Sequence, residues 1–384
     1  LYQVVKGVAE RITLVFLIDA LGWEIVREYG FCDSLLPRRS PLGTVLGYSS
    51  AAIPSLLSGS TPAEHGSWAM YRRSGARSPF GFLRALPPLP HALDWRVRRL
   101  TRRLTDRRGV IRGYYDLYDI PVHVLGHFDV AQHQDPYQPG GLSRETVFDA
   151  FVAAGVSYRL WYYRTPEERN MEEVIAALGG GESVLFLYTA ELDALMHRVG
   201  VFEDAVASRL ARYQTFLEQV METAQARGVS VDIHVLSDHG MTPVDRSVDL
   251  WGTLERGGYR LGSDYLAFYD STMARLWCED DVLAAAVGHL EETGSGRLLS
   301  AAELEEFGCD FPDDRYGQHV LLAHPGVMVV PSFMGRERIA AMHGYDPGDR
   351  FSKGVFLTND TAGQLPESIL DFKRYLVERT VEAQ

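Results

Sequence analysis

The sequence predicts an α/β fold, with a mainly parallel sheet covered by helices on both faces and interrupted by inserted segments. Three observations carry that prediction. Apolar runs at Ile12–Ile18 (I-T-L-V-F-L-I), Ser183–Tyr188 (S-V-L-F-L-Y) and Ser230–Leu236 read as strands buried on both faces, as parallel sheets require. Helical patterns alternate with these runs along the chain. The run that opens V-L-S-D-H-G-M (Val235–Met241) delivers Asp238 and His239 to a strand's carboxyl end, where open α/β sheets collect ligands.

Taken in order, Asp19 closes the first run, and A-L-G-W-E-I-V-R-E-Y then begins a helix. A lone carboxylate in that position reads as a helix N-cap. From Gly47 to Gly66, small and hydroxyl residues crowd Ser49–Ala52, where a helix start with free N–H groups suits an anion. Between Tyr71 and Gly141 prolines break the pattern. Trp95–Arg112 then carries Arg96, Arg98, Arg99, Arg102, Arg103, Arg107, Arg108 and Arg112, with Val97, Leu100 and Leu104 as an apolar stripe. This stretch reads as a solvated face, a membrane-surface helix or a cap drawing an anionic substrate inward. The cap is the functional expectation.

Helix–strand alternation resumes with Arg144–Gly155, a helix ending at a glycine. Val156–Tyr163 follows as a strand and Glu167–Leu178 as a helix. After Ser183–Tyr188, Asp193 and His197 stand at i and i+4 on one helical face. Phe202–Ala226 is a long amphipathic helix. Residues 264–331 are shorter and more strand-like, and read as a second insertion near the sheet's carboxyl edge. His343 and Gly344 lie in M-H-G-Y-D-P, and Glu367–Val381 is the last helix.

Composition narrows the chemistry. The 384 residues are 46% apolar, enough for a soluble globular protein with one large domain carrying insertions. A formal net charge of −13 disfavours nucleic-acid duplexes as partners. The three cysteines, Cys32, Cys278 and Cys309, lack metal-binding spacing, so a metal would fall to His and carboxylate. No run is long enough to cross a membrane, and no signal peptide is visible. A cytoplasmic location is expected, or a periplasmic or secreted one if a leader was removed.

The candidate ligands are Asp19, a hydroxyl near Ser49, Asp193, His197, Asp238, His239 and His343. Such donors suit zinc, with manganese or iron as the other ions they accommodate. Seven groups exceed one tetrahedral shell and suit two divalent ions.

In order and chemistry, Leu14–Asp19, Ser49–Gly66, Tyr188–Gly200, Val235–Met241 and His343–Phe356 resemble the alkaline phosphatase superfamily. Within it they resemble the nucleotide pyrophosphatase/phosphodiesterase (type I phosphodiesterase) branch. The resemblance implies an alkaline-phosphatase-like three-layer sandwich spanning 1–384 as a single catalytic domain, with a basic cap at 71–141 and a second insertion at 264–331. It implies that Asp19, Asp238 and His239 hold one metal, which also binds the nucleophile, and that Asp193, His197 and His343 hold the other. Matching Ser58-Gly59, Pro62 and His65-Gly66 to the family motif puts the nucleophile at Ser49, with Ser50 the neighbouring alternative. The implied activity is hydrolysis of a phosphodiester or pyrophosphate bond in an anionic phosphate-ester small molecule. A metal-bound serine and a covalent phospho-enzyme would carry it. The alternatives are a phosphomonoesterase or phosphoryl transferase of the same superfamily, and a metal-binding pseudoenzyme. One position departs from the pattern: Met70 stands where phosphodiesterase relatives carry an asparagine that contacts a phosphoryl oxygen. An arginine from the cap is expected to substitute. His65 is expected to be structural, and His123, His127, His133 and His319 are assigned no role.

Overall fold

A computed structural model describes residues 11–75 and 78–381 of the chain. Its organising element is a six-stranded sheet. In spatial order the strands are Arg38–Leu42, Gly354–Thr358, Ser230–Leu236, Arg11–Ile18, Val184–Thr189 and Tyr158–Trp161. Gly354–Thr358 runs antiparallel to both its neighbours, and the other pairings are parallel.

The three apolar runs occupy the sheet's middle because each can bury both faces. Along the first strand, Ile12, Leu14, Phe16 and Ile18 enter one hydrophobic cluster, while Val15 and Leu17 enter the cluster on the opposite face. Leu185 and Leu187 alternate with Val184 and Phe186 in the same way. A strand with two apolar faces is stable only between two helical layers. The long helix Asp204–Ala226 covers the first face through Leu210, Tyr213, Phe216, Leu217 and Val220. The helices Ser49–Ser58, Val147–Ala154 and Phe372–Thr380 cover the second. The fold is therefore the three-layer α/β sandwich expected from the sequence.

Outside the sandwich, residues from the 71–130 stretch and from 248–345 share a third core, in which Phe268 packs against Tyr71, Phe128 and Phe333. It rests on a four-stranded antiparallel sheet of Leu266–Tyr269, Met273–Trp277, His319–Ala323 and Gly296–Leu298. Two sequence expectations need correction here. The strand-like stretch also holds a 14-residue helix, Asp280–Thr293, whose acidic first turn (Asp280, Asp281) complements the helix dipole. The last helix begins later than expected, because Ser368 caps a short 3₁₀ turn at Ile369–Asp371 before Phe372–Thr380.

The arginine-rich helix is His91–Arg108, and it docks by a face turned away from its leucines. Its buried residues are Asp94, Arg98, Thr101 and Thr105. Arg98 lies 2.9 Å from both Asp94 and Asp119. Of the expected apolar stripe, Val97 packs half-buried against the third core, whereas Leu100 and Leu104 are left exposed at 57% and 38%.

Candidate metal centre

Register builds the first half of the site. Leu17 pairs with Leu236 between adjacent parallel strands, so Asp19 and Asp238, each two residues further on, emerge side by side at the carboxyl edge. Asp19 is not a helix cap, since the following helix, Trp23–Tyr29, takes Gly22 as its N-cap. Instead Asp19 is buried and accepts a 2.6 Å hydrogen bond from the Tyr188 hydroxyl. Ala20 follows in the left-handed region at φ 61°, a conformation costing a non-glycine residue roughly 1–2 kcal/mol. Its N–H donates to Asp238 Oδ1 at 3.4 Å. Gly240 is required after His239: a Cβ there would stand 2.1 Å from the Phe351 carbonyl oxygen.

The second half comes from the helix Glu191–Val199, which begins two residues after the next strand and carries Asp193 and His197. His343 reaches them from a loop whose Gly344 has φ 89° and packs against Tyr48 with no room for a Cβ. The halves adjoin, since the rings of His239 and His343 stack with centroids 3.9 Å apart. Ser49 is the first residue of the helix Ser49–Ser58. Its Oγ lies 3.0 Å from His239 Nε2 and 3.4 Å from Asp19 Oδ1. Ser50 also faces the cavity, where its carbonyl accepts from Gln132.

All seven sequence-derived groups are thus brought together: six in two clusters that match metal-ligand spacing, Asp19, Asp238, His239 and Asp193, His197, His343, and the Ser49 hydroxyl beside the first. The donor set fits divalent ions on three counts. Ligands 2.0–2.1 Å from a tetrahedral ion stand about 3.3 Å apart. Asp193 Oδ1 is 3.2 Å from His197 Nε2 and 3.3 Å from His343 Nε2, and Asp238 Oδ2 is 3.1 Å from His239 Nε2. Neither carboxylate oxygen has a partner with hydrogen-bond geometry despite being buried. Finally, His197 Nδ1 sits 2.8 Å from the Ala341 carbonyl and His239 Nδ1 3.0 Å from that of Gly240. A nitrogen beside a carbonyl carries the proton, which frees Nε2 as a ligand, the usual support of metal-binding histidines.

The electrostatics agree. Burial, then repulsion from Asp238 and Asp193, pushes the Asp19 carboxyl well above the ordinary carboxylate range. Burial also raises Asp238, which His239 only partly offsets. Burial would raise Asp193 too, but the imidazoles of His197 and His343 hold it far below the usual range. His197 takes a complementary rise: burial opposes it, and Asp193 outweighs burial. Burial and His239 hold His343 down at about 3. Burial thus disfavours the charge on Asp19 and Asp238, a cost that a bound cation would offset.

Beside the clusters opens a cavity of about 520 Å³ whose wall includes Tyr48, Tyr114, Tyr118, Tyr137, Tyr163 and Tyr188. Met70 and Gln132 also line it. Among the described residues no lysine or arginine does, so the arginine expected from the cap to replace the asparagine contact is not found there. His65 is buried with Nε2 2.9 Å from Ser55 Oγ, outside both clusters, and burial lowers its pKa to about 4. Sequence reasoning missed two residues. Tyr188 gives no signal as a strand residue, because only the parallel register aims its hydroxyl at Asp19. Gln132 lies in a loop with no motif around it.

Comparison with known proteins places these observations. The family model described as type I phosphodiesterase / nucleotide pyrophosphatase matches residues 142–346. Among solved structures, murine ectonucleotide pyrophosphatase / phosphodiesterase 5 aligns at TM-score 0.65 and 14% identity, over 96% of this chain and 95% of that one. Its inactive threonine-to-alanine variant in complex with AMP aligns at TM-score 0.63 and 15% identity, over 96% and 94%. The human counterpart aligns at TM-score 0.66 and 12% identity, again over 96% and 94%. At such identities the likeness is one of fold. No curated protein sequence matches the chain.

Proposed function

The chain belongs to the type I phosphodiesterase / nucleotide pyrophosphatase family, and on that premise we propose that it hydrolyses small-molecule phosphodiesters or pyrophosphates through Ser49 and two divalent metal ions. What supports the reading is the convergence of Asp19, Asp238 and His239, and of Asp193, His197 and His343, beside one serine hydroxyl. The first trio would hold one ion and the second trio the other. Zinc is the expected metal. Such ions supply charge neutralisation at the phosphoryl oxygens and acidify a hydroxyl or water at neutral pH.

The protein's own groups do the rest. Ser49 stands at a helix N-terminus, whose dipole suits an anionic phosphoryl group. Its oxygen forms a bond to phosphorus as the ester bond opposite breaks and the leaving alcohol or phosphate departs. Water then attacks the seryl phosphodiester or phosphate from the vacated side, and Ser49 leaves. Catalysis of such displacements is mostly positioning and electrostatics. Tyr188 holds the Asp19 carboxylate in place. Gln132 brings to the cavity wall the amide that Met70 lacks, and in this reading it serves the contact asparagine makes in relatives.

The cavity favours a diester over a monoester. Its volume suits a ligand of drug size. Its tyrosine faces offer stacking surface to an aromatic group such as a nucleobase, in keeping with the AMP complex of the murine relative. Zinc-loaded protein should cleave bis-p-nitrophenyl phosphate at least about tenfold more efficiently, by kcat/KM, than p-nitrophenyl phosphate. Ser49→Ala should lose on the order of 10³-fold or more in kcat while retaining metal. A preference for the monoester, or full turnover by Ser49→Ala, would overturn the reading.

A further inference from the structure

The arginine-rich helix has no part in the metal centre, and its surface is unusual. Helices normally dock by their apolar stripe. His91–Arg108 docks chiefly by polar residues, with Val97 half-buried beside them, and Leu93, Trp95, Leu100 and Leu104 face outward instead. Leu93, Leu100 and Leu104 follow i, i+7, i+11, one ridge of an α-helix. Arg96, Arg99, Arg103 and Arg107 follow i, i+3, i+7, i+11, the ridge beside it. The helix holds only two acids, and both are committed: Asp94 to Arg98, and Asp106 to Arg102 and the Tyr115 hydroxyl. Among the described residues Arg96, Arg99, Arg103, Arg107 and Arg108 have no ion-pair partner, and Arg99 lies over the Trp95 ring at 5.5 Å. The chain as a whole carries a formal net charge of −13, so this cationic ridge is a local reversal of sign.

We propose that this helix seats the protein on an anionic lipid bilayer surface, its guanidinium ridge meeting headgroups and its leucine ridge entering the boundary beside them. A leucine row beside a cationic row on one helix is the pattern of helices that lie in a membrane interface. A nucleic-acid backbone would satisfy the arginines and leave the leucines without use. The acidic remainder of the chain is repelled by the same headgroups, which orients the molecule with this helix toward the bilayer.

The test is sedimentation of the full chain with vesicles containing phosphatidylserine, or with phosphatidylcholine alone. Binding is expected only to the former, and weakening with salt. Each arginine near an anionic leaflet contributes roughly fivefold in binding, so Arg96→Gln/Arg99→Gln/Arg103→Gln should weaken it on the order of 100-fold. Leu100→Ser/Leu104→Ser should also release the protein while leaving net charge unchanged. Both variants alter exposed side chains outside the cavity, and unchanged hydrolysis of a soluble diester verifies their fold. Failure to sediment with phosphatidylserine vesicles, or sedimentation unaffected by the arginine variant, overturns the proposal. So does a concentration-dependent dimer that the leucine variant breaks in the absence of vesicle binding, which would make the ridge a contact with a second copy.

Discussion

Tyr188→Phe separates metal binding from chemistry with the removal of one oxygen atom. The phenol donates a 2.6 Å bond to Asp19 Oδ2 inside a buried site, and its ring stacks on Tyr137 at 5.4 Å, a contact phenylalanine keeps. A hydrogen bond to a charged group contributes about 1.5–3 kcal/mol, which corresponds to roughly 10–100-fold in an equilibrium constant. Loss of an outer partner that orients a metal ligand costs about the same factor in metal affinity. Titration of metal-free protein with zinc against a chromophoric chelator should therefore show one site weakened by roughly 10–100-fold, with the site of Asp193, His197 and His343 nearly unchanged. At saturating zinc most turnover should return. If neither site weakens by more than about twofold, Tyr188 does not orient Asp19 for a metal. Equal weakening of both sites would mean the substitution distorts the cavity as a whole.

Further expectations concern other parts of the molecule. Asp193→Ala removes the carboxylate shared by His197 and His343, and should drop bound metal from two ions per chain to one by elemental analysis; two tightly held ions would contradict the ligand assignment. Gln132→Ala should cost on the order of 100-fold in kcat for a diester if its amide meets a phosphoryl oxygen in the transition state, and an unchanged kcat would leave it as cavity wall. Arg98→Ala strands buried Asp94 and partly exposed Asp119 without their cation. Breaking a buried pair costs about 3–5 kcal/mol, and the partial exposure of Asp119 places the expectation near about 3 kcal/mol in urea denaturation. A loss below about 1 kcal/mol would show that the pair does not anchor the helix.

Much of the sandwich and the metal centre could be read from the chain because both depend on local pattern. A strand buried on both faces must be apolar throughout, so Ile12–Ile18 and Ser230–Leu236 declare themselves, and their carboxyl ends carry Asp19 and Asp238. Asp193 and His197 share a face by helical spacing alone. What stayed hidden was settled by partners distant in sequence. Leu100 and Leu104 look like a docking stripe until Asp119, outside the helix, pairs with Arg98 and draws the neighbouring polar face inward. The i, i+4 pair Asp94–Arg98 was the available clue, but such pairs are ordinary on exposed faces. Asp280–Thr293 was obscured by the strands around it, although its two leading aspartates mark a helix start. Tyr188 and Gln132 could not be found without the register and loop path that bring them to the site.

The most direct test of the account is anomalous diffraction from crystals grown with zinc, recorded on both sides of the zinc absorption edge. Two peaks are predicted, one among Asp19, Asp238 and His239 and the other among Asp193, His197 and His343, with Ser49 beside the first. A single peak, or none at these side chains, would contradict it.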